Sequence, residues 1–162
     1  MILRNLSKNF YIIFISIVLI FSLDRISKLY VIKLTETKYS LELFSSKFLN
    51  ISLIWNEGIA FGLFSFDQNY LYNLISIIIL LILIIVFVMM LRNKGFKKYS
   101  LMMIFGGAIG NFYDRITYGA VPDFIDLHYK TLHWFTFNVA DIFITLGIIA
   151  FLMSGFFIKI NK

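Results

Sequence analysis

The sequence predicts an all-α polytopic membrane protein with four transmembrane helices, both termini cytoplasmic, and a small assembly of strands outside the membrane. Composition is the first reason: 60% of the 162 residues are hydrophobic and 15% are charged, whereas soluble domains carry about 25% charged residues. The other reasons are four apolar runs and a clustering of basic residues beside them. The length suits a single membrane-embedded domain, residues 1–162, without a separate soluble domain of ordinary size.

The four helices are expected at about residues 10–30, 69–91, 98–115 and 138–159. The first apolar run, residues 10–23, is short for a span of about 20 residues, so the helix is extended through Asp24 and Lys28. No small-x-small cleavage motif follows this run, which favours an uncleaved helix. The second run, residues 70–91, contains no charge and is the clearest span.

Basic residues predict which side of the membrane the termini face. The N-terminal segment, the link between the second and third helices and the C-terminal segment contain no acid but hold Arg4, Lys8, Arg92, Lys94, Lys97, Lys98, Lys159 and Lys162. Cytoplasmic segments are rich in Lys and Arg, so both termini are expected inside. The net charge of +6 then reflects topology and anionic lipid, and it is not evidence for nucleic-acid binding.

Two segments, at about residues 31–68 and 116–137, are left on the outer side. Within the first of them, KFLNISLIWN is rich in apolar and β-branched residues that partly alternate with polar ones. That pattern predicts strands rather than a fifth helix.

An Asn-x-x-Asp spacing occurs twice, in NFYD ending at Asp114 and in NVAD ending at Asp141. The first closes the predicted third helix and the second opens the fourth, so both aspartates are expected at the outer ends of antiparallel neighbours. Gly106 and Gly110 have the Gly-x-x-x-Gly spacing, which is expected to let the third and fourth helices approach closely. Residues three apart share a helix face, so each aspartate is expected beside the asparagine of its own motif.

Two facing carboxylates at membrane depth would form an acid–base pair. Intramembrane acids are costly and usually functional, and two close carboxylates share a proton because both cannot easily ionise. This is the equipment of an aspartic protease. The helix dipoles favour Asp141 as the anion and Asp114 as the neutral acid.

Other interpretations of these acids stay open on spacing alone. An aspartate at a helix start is commonly an N-cap, and Asp114 followed by Arg115 fits an interfacial ion pair. Asp24 and Lys28, four residues apart, fit either a structural pair or two site residues. A small proton- or ion-coupled transporter would also use intramembrane aspartates.

Five motifs occur in order along the chain: DRISK (24–28), NEGIAFG (56–62), GGAIGNFYDR (106–115), PDF (122–124) and FNVAD (137–141). Over nearly its whole length the chain therefore resembles lipoprotein signal peptidase, also called signal peptidase II. This family is a cofactor-independent bacterial aspartic protease that removes the signal peptide from prolipoproteins just before a diacylglyceryl-modified cysteine. The resemblance implies a multi-pass enzyme of the cytoplasmic (inner) membrane, with its site near the extracytoplasmic face and with sensitivity to globomycin-type lipopeptides.

The resemblance implies that Asp114 and Asp141 are the catalytic pair. Residues expected to support that pair or to contact the substrate are Asp24, Lys28, Asn56, Gly58, Asn111, Arg115, Asp123, Asn138 and Ala140. Asp123 is expected to orient its neighbours rather than to act as a third catalyst, and the small Ala140 to leave room beside the scissile bond. The segment around Asn56 resembles the family's β-cradle, and the loop before FNVAD its mobile extracytoplasmic element.

Pro122 departs from the family pattern, which commonly has a valine there, and its missing N–H puts one ladder hydrogen bond in doubt. Asp126, His128 and His133 are expected to be solvated loop residues, because their spacing fits no helical zinc motif. We therefore expect no metal. The chain has no cysteine, which excludes disulfides and thiolate chemistry within this sequence.

Overall fold

The computed structural model describes residues 2–58 and 68–160. Its helices are α1 (Ile2–Lys38), α2 (Gln68–Arg92), α3 (Gly95–Tyr118) and α4 (Val139–Ile160). Its strands are β1 (Glu42–Ser45), β2 (Leu49–Asn56), β3 (Val121–Tyr129) and β4 (Leu132–Phe137). A mostly helical protein with a small antiparallel sheet confirms that part of the predicted fold. Positions 59–62 of the NEGIAFG motif lie outside the described residues.

Two helices of the described chain are long and apolar enough to cross a membrane, in the stretches Phe10–Lys38 and Tyr72–Arg92. The helix α4 contains a shorter apolar stretch, Val139–Gly155. Many large apolar side chains along these helices are exposed, as lipid-facing residues would be. The predicted number of spans and the positions of the termini stay predictions.

The helix α1 is longer than predicted, because it continues to Lys38 instead of ending near residue 30. Its last turns bury Val31 and Thr35, which are one helical turn apart. Val31 packs in a cluster with Leu53 of β2 and Phe124 of β3. The last turns of α1 therefore pack against the sheet. The apolar run of residues 10–23 did not predict this contact.

The four strands form one antiparallel sheet in the order β1-β2-β3-β4. The strand β2 lies within the predicted KFLNISLIWN segment. The segment before FNVAD was expected to be a loop, and this is wrong, because β3 and β4 form a hairpin there. Its expected mobility stays a prediction. Pro122 lies opposite Trp55 of β2, while pairing with β4 begins at Ile125. The proline therefore lies where β3 has a neighbour on one side only, a position that tolerates a missing donor.

Helix α3 packs against α1, α2 and α4, and three of its four glycines lie at two of these contacts. A Cβ on Gly106 would meet Ile20 of α1, and one on Gly110 would meet the Asp24 carboxylate at 2.5 Å. A Cβ on Gly107 would lie 2.5 Å from the Ala140 carbonyl oxygen of α4. The prediction that Gly106 and Gly110 face the fourth helix is therefore wrong. Residues four apart do share one face, but that face is turned to α1 and the adjacent glycine serves α4.

Candidate active site

Four charged residues form a charge cluster where α1 meets α3: Asp24, Lys28 and Asp114, which are buried, and Arg25, which is partly exposed. Lys28 Nζ donates to Asp24 Oδ2 at 2.8 Å, to Asp114 Oδ2 at 2.7 Å and to Asn111 Oδ1 at 2.7 Å. The Arg25 guanidinium forms an ion pair with the other oxygen of Asp114. Two cations thus balance two acids, and both oxygens of Asp114 face a cation inside the protein.

The NVAD motif starts α4 with a reciprocal capping box. Asn138 Oδ1 accepts a hydrogen bond from the backbone N–H of Asp141 at 3.1 Å, and the backbone N–H of Asn138 donates to Asp141 Oδ2 at 3.0 Å. Asp24 Oδ1 accepts a further bond from the backbone N–H of Ala140 at 3.1 Å. The N-cap interpretation of Asp141 is therefore corrected: Asn138 is the N-cap, and Asp141 is the third residue of the helix, which bonds back to it with one carboxylate oxygen and keeps the other for further contacts.

Asn111 links the charge cluster to the start of α4. Its Oδ1 accepts from Lys28, and its Nδ2 donates to Asp141 Oδ1 at 2.8 Å. The two predicted catalytic acids are thereby joined through Lys28 and Asn111. The expectation that each aspartate keeps its own asparagine holds for Asp141 but not for Asp114, because the Asn111 amide reaches across to the other helix.

Asp123 lies on β3 and is held by neutral amides instead of cations. Asn56 Nδ2 donates to its Oδ2 at 2.9 Å, and Asn138 Nδ2 donates to its Oδ1 at 2.6 Å. The residue is 3% exposed. Burial raises the pKa of Asp123 to about 6, and the neighbouring Asp141 charge adds to this, against the lowering effect of the two amide donors. Asp123 can therefore bind a proton much closer to neutral pH than an ordinary aspartate.

Two cavities meet at Asp141. A polar cavity of about 230 Å³ is lined by Asp141 and Asp123 together with Asn56, Asn111 and Arg115. An apolar groove of about 620 Å³ runs between the β3–β4 hairpin and α4, and its lining includes Asp141, Trp134, Phe137 and Leu146. Among the described residues, the acids that line the polar cavity are Asp123 and Asp141.

Arg115 closes another side of the polar cavity and does not pair with Asp114. Its Nη1 donates to the Glu57 carbonyl oxygen at 3.4 Å. The guanidinium lies against Gly58, where an added Cβ would be 2.8 Å from both terminal nitrogens. Gly58 has φ +79°, a conformation that favours glycine, and its N–H donates to Asn56 Oδ1 at 2.8 Å. Gly58 thus both makes the turn and leaves space for the guanidinium.

Comparison with known proteins identifies the family. The sequence model of the family described as signal peptidase (SPase) II matches residues 16–157. The chain belongs to the signal peptidase II family.

Individual members of the signal peptidase II family are similar over most of their length. The lipoprotein signal peptidase of Pelagibacter ubique (strain HTCC1062) is 52% identical over 155 residues, which cover 96% of this chain and 93% of that protein. That of Anaplasma marginale (strain Florida) is 40% identical over 140 residues, covering 85% and 80%. A solved bacterial membrane enzyme superposes with a TM-score of 0.69 at 28% identity, over 93% of this chain and 90% of that one.

In this member of the signal peptidase II family, one network of contacts joins the sequence-predicted site residues: Asp24, Lys28, Asn56, Gly58, Asn111, Asp114, Arg115, Asp123, Asn138, Ala140 and Asp141. Ala140 is 0% exposed, between Asp24 of α1 and Gly107 of α3. Both of these contacts are made by the Ala140 backbone, its N–H and its carbonyl group. The catalytic and supporting roles of these residues stay predictions.

Sequence reasoning missed Arg25, which supplies the second cation of the charge cluster. Its guanidinium also lies over the ring of Tyr113, 5.1 Å from the centroid. The signal was available, because Arg25 and Lys28 are three residues apart and share a helix face in the DRISK motif. A helix face with one acid and two bases indicates a further acid on a neighbouring helix.

The prediction that Asp126, His128 and His133 lie in a loop is wrong, because all three lie on strands. Asp126 and His128 lie on β3, and His133 lies on β4. Asp126 is 9% exposed, and the three side chains are brought together. Only His133 has the exposed side chain that was expected.

Proposed function

We propose that this chain is an endopeptidase that removes the signal peptide from diacylglyceryl-modified bacterial prolipoproteins, cutting just before the lipidated cysteine. The observation that carries this proposal is the position of Asp141, at the junction of a polar cavity and an apolar groove. Membership of the signal peptidase II family supports the substrate class. A proton- or ion-coupled transporter is not favoured by that membership.

The geometry supports Asp141 and Asp123 as the catalytic dyad better than the sequence-predicted pair of Asp141 and Asp114. Asp123 and Asp141 line the same cavity and share Asn138 as a donor. Asp114 is 0% exposed and has a cation at each oxygen. Asp114 is also not among the described residues that line the polar cavity, where water and the scissile bond would meet. Its proposed role is to hold Lys28, and through it Asn111, in position.

The roles within the dyad follow from the surroundings of each acid. The Asn138 backbone N–H and the Asn111 side-chain amide both donate to the Asp141 carboxylate and favour its anion, so Asp141 serves as the base that takes a proton from water. Asp123, whose pKa is raised to about 6, serves as the acid that donates its proton to the oxygen of the scissile carbonyl. The water oxygen bonds to the carbonyl carbon and gives a tetrahedral gem-diol. Its collapse breaks the C–N bond: the proton held by Asp141 passes to the leaving amine, and one hydroxyl proton returns to Asp123 as the new carboxyl group forms.

The remaining sites suit a lipidated substrate. The apolar groove would hold an acyl chain of the substrate beside the dyad. Each methylene that leaves water contributes about 0.8 kcal/mol to the free energy of binding. The polar side chains of Asn56, Asn111 and Arg115 surround the space where the peptide bond would lie. Sensitivity to globomycin-type lipopeptides is proposed on the same ground, because such a molecule presents both a peptide and an acyl chain.

The proposed topology is a single membrane-embedded domain with four spans, both termini cytoplasmic and the sheet outside, in the bacterial cytoplasmic membrane. The helices α1 and α3 lead into strands, and α4 follows directly from one. This connectivity supports a position of the sheet and of both proposed dyad acids at one end of the helices. The distribution of basic residues supports the opposite end as cytoplasmic.

The test is cleavage of a lipidated and an unlipidated precursor by the purified protein, followed by gel shift. We expect the lipidated precursor to be cut at least tenfold faster, and Asp123→Asn and Asp141→Asn each to abolish cutting in protein that stays folded. Asp114→Asn is the matched control, and it should keep measurable activity.

Three results would count against these assignments. Full activity in Asp123→Asn or Asp141→Asn would remove that residue from the dyad. An inactive, stably folded Asp114→Asn beside an active Asp123→Asn would restore the sequence-predicted pair. Aspartate-dependent ion flux in proteoliposomes without any cleavage would favour the transporter.

A further inference from the structure

Three potential metal ligands meet on the β3–β4 hairpin, away from the charge cluster. Each of Asp126, His128 and His133 offers one ligand atom, and these atoms lie within 4.8 Å of one another. Asp126 and His128 are two residues apart and therefore share a face of β3. His133 is the register partner of His128 across the hairpin, so the sheet itself brings the three side chains to one place.

The contacts within this cluster fit a metal site. The rings of His128 and His133 are stacked, with centroids 5.0 Å apart. His133 Nδ1 lies 2.9 Å from Asp126 Oδ2, and Asn50 Nδ2 holds the same oxygen from β2 at 3.3 Å. Within residues 2–58 and 68–160, His128 Nδ1 is buried with no hydrogen-bond partner. A buried ring nitrogen without a partner beside a carboxylate and a second imidazole points to a ligand that accepts lone pairs.

We propose that Asp126, His128 and His133 bind one Zn²⁺ ion. Two imidazoles and a carboxylate suit zinc, whereas Mg²⁺ and Ca²⁺ prefer oxygen ligands throughout. Neighbouring ligands of a tetrahedral zinc ion are roughly 3.4 Å apart, given bond lengths of about 2.0–2.1 Å. The three ligand atoms reach that spacing by small side-chain rotations, because they already lie within 4.8 Å. Water completes the coordination on the exposed side of His133.

The ion would fasten β4, an edge strand, to β3. His128 also lines the apolar groove that reaches Asp141, so the fastened hairpin forms one wall of that groove. The zinc site is separate from the proposed dyad, and its existence does not depend on the proposed function.

The chain offers a clean test, because its only two histidines both belong to the cluster and it has no cysteine. The full chain, purified in detergent and carrying no polyhistidine tag, is titrated with Zn²⁺ against a chromophoric chelator. We expect one equivalent to bind, at least tenfold more weakly in His128→Gln and in His133→Gln. Thr131→Ala, in the turn between the strands, is the matched control and should bind as the wild type does.

Thermal unfolding supplies a second readout. Zn²⁺ should raise the melting temperature of the wild type and of Thr131→Ala, but not of either histidine variant, whereas Mg²⁺ should raise none of them. His133 is half exposed on an edge strand, so His133→Gln should remain folded by circular dichroism. No zinc uptake by the wild type would overturn the proposal, as would uptake of equal affinity in both histidine variants.

Discussion

Asn138 donates hydrogen bonds to both acids that line the polar cavity: its side-chain amide to Asp123 at 2.6 Å and its backbone N–H to Asp141 at 3.0 Å. One residue therefore sets the position of Asp123 relative to Asp141. The same side chain caps α4 through its oxygen. Capping and positioning use different atoms, so substitutions can separate them.

Substituting Asn138 should separate helix stability from activity. Asn138→Ser keeps an N-cap oxygen but loses the amide that reaches Asp123, so we expect at least a tenfold fall in kcat with little change in melting temperature. Asn138→Ala loses both functions and should also lower stability by about 1 kcal/mol. Cleavage rates and thermal unfolding in detergent check both variants. Wild-type kcat in Asn138→Ser would show that the amide does not position Asp123.

Lys28→Met should destabilise the protein by about 3–5 kcal/mol, because it leaves buried acids without one of their cations. Lys28 is 0% exposed and bonds to Asp24, Asn111 and Asp114. The double variant Lys28→Met/Asp114→Asn should recover part of this loss, since it removes a cation and an acid together. Chemical denaturation of the single and double variants measures the coupling. Additive losses would mean that the two residues do not form an energetic pair.

Gly107→Ala should lower the free energy of unfolding by about 1–3 kcal/mol. The added Cβ would lie 2.5 Å from the Ala140 carbonyl oxygen and 2.9 Å from Ile144 Cγ1, so α3 and α4 must move apart. Activity should fall as well, because the Asn111–Asp141 hydrogen bond spans these helices.

The matched control for this glycine is Gly155→Ala, in α4. Nothing lies within 4 Å of its added Cβ, and alanine should stabilise the helix by up to about 1 kcal/mol. If Gly107→Ala behaved like Gly155→Ala, the close approach of α3 and α4 would not be needed.

The pH dependence of stability should report on Asp123. Its pKa is about 6 in the folded protein against 3.8 for an ordinary aspartate, so the folded state holds the proton more tightly. The resulting stabilisation is complete below pH 3.8 and is lost as pH rises through about 6. At about 1.4 kcal/mol per pKa unit the loss is at most about 3 kcal/mol.

Asp123→Asn cannot ionise and supplies the reference for that measurement. The melting temperature of Asp123→Asn relative to the wild type should therefore rise as pH increases from about 4 to 7. A constant difference across this range would mean that Asp123 has an ordinary pKa.

Much of the fold could be predicted because apolar runs and motif order are local signals. The four helices and β2 follow from hydrophobic runs and alternation. The extension of α1 to Lys38 could not be predicted in this way, because Val31 is fixed by Leu53 and Phe124, which are distant in sequence. The β3–β4 hairpin was missed because Pro122 and the loop interpretation obscured its alternation.

The sequence predicted which residues would lie together, but not which of them would be hydrogen-bond or ion-pair partners. Every predicted supporting residue lies in the network, yet Asp114 pairs with Arg25 and Lys28 instead of facing the cavity. Identical Asn-x-x-Asp spacings gave no means of telling a helix cap from a partner for buried cations. The difference arises from which neighbouring helix faces each motif, and that is a property of packing.

The junction of β4 and α4 consists of one residue, since β4 ends at Phe137 and α4 begins at Val139. A one-residue connection cannot absorb a change in length. One residue inserted between Asn138 and Asp141 would turn the carboxylate by about 100° around the helix axis. Natural length variation should therefore be tolerated at the Lys130–Thr131 turn and selected against at this joint. Because the connection is this short, a movement of the β3–β4 hairpin would also shift the start of α4 and, with it, the Asp141 carboxylate.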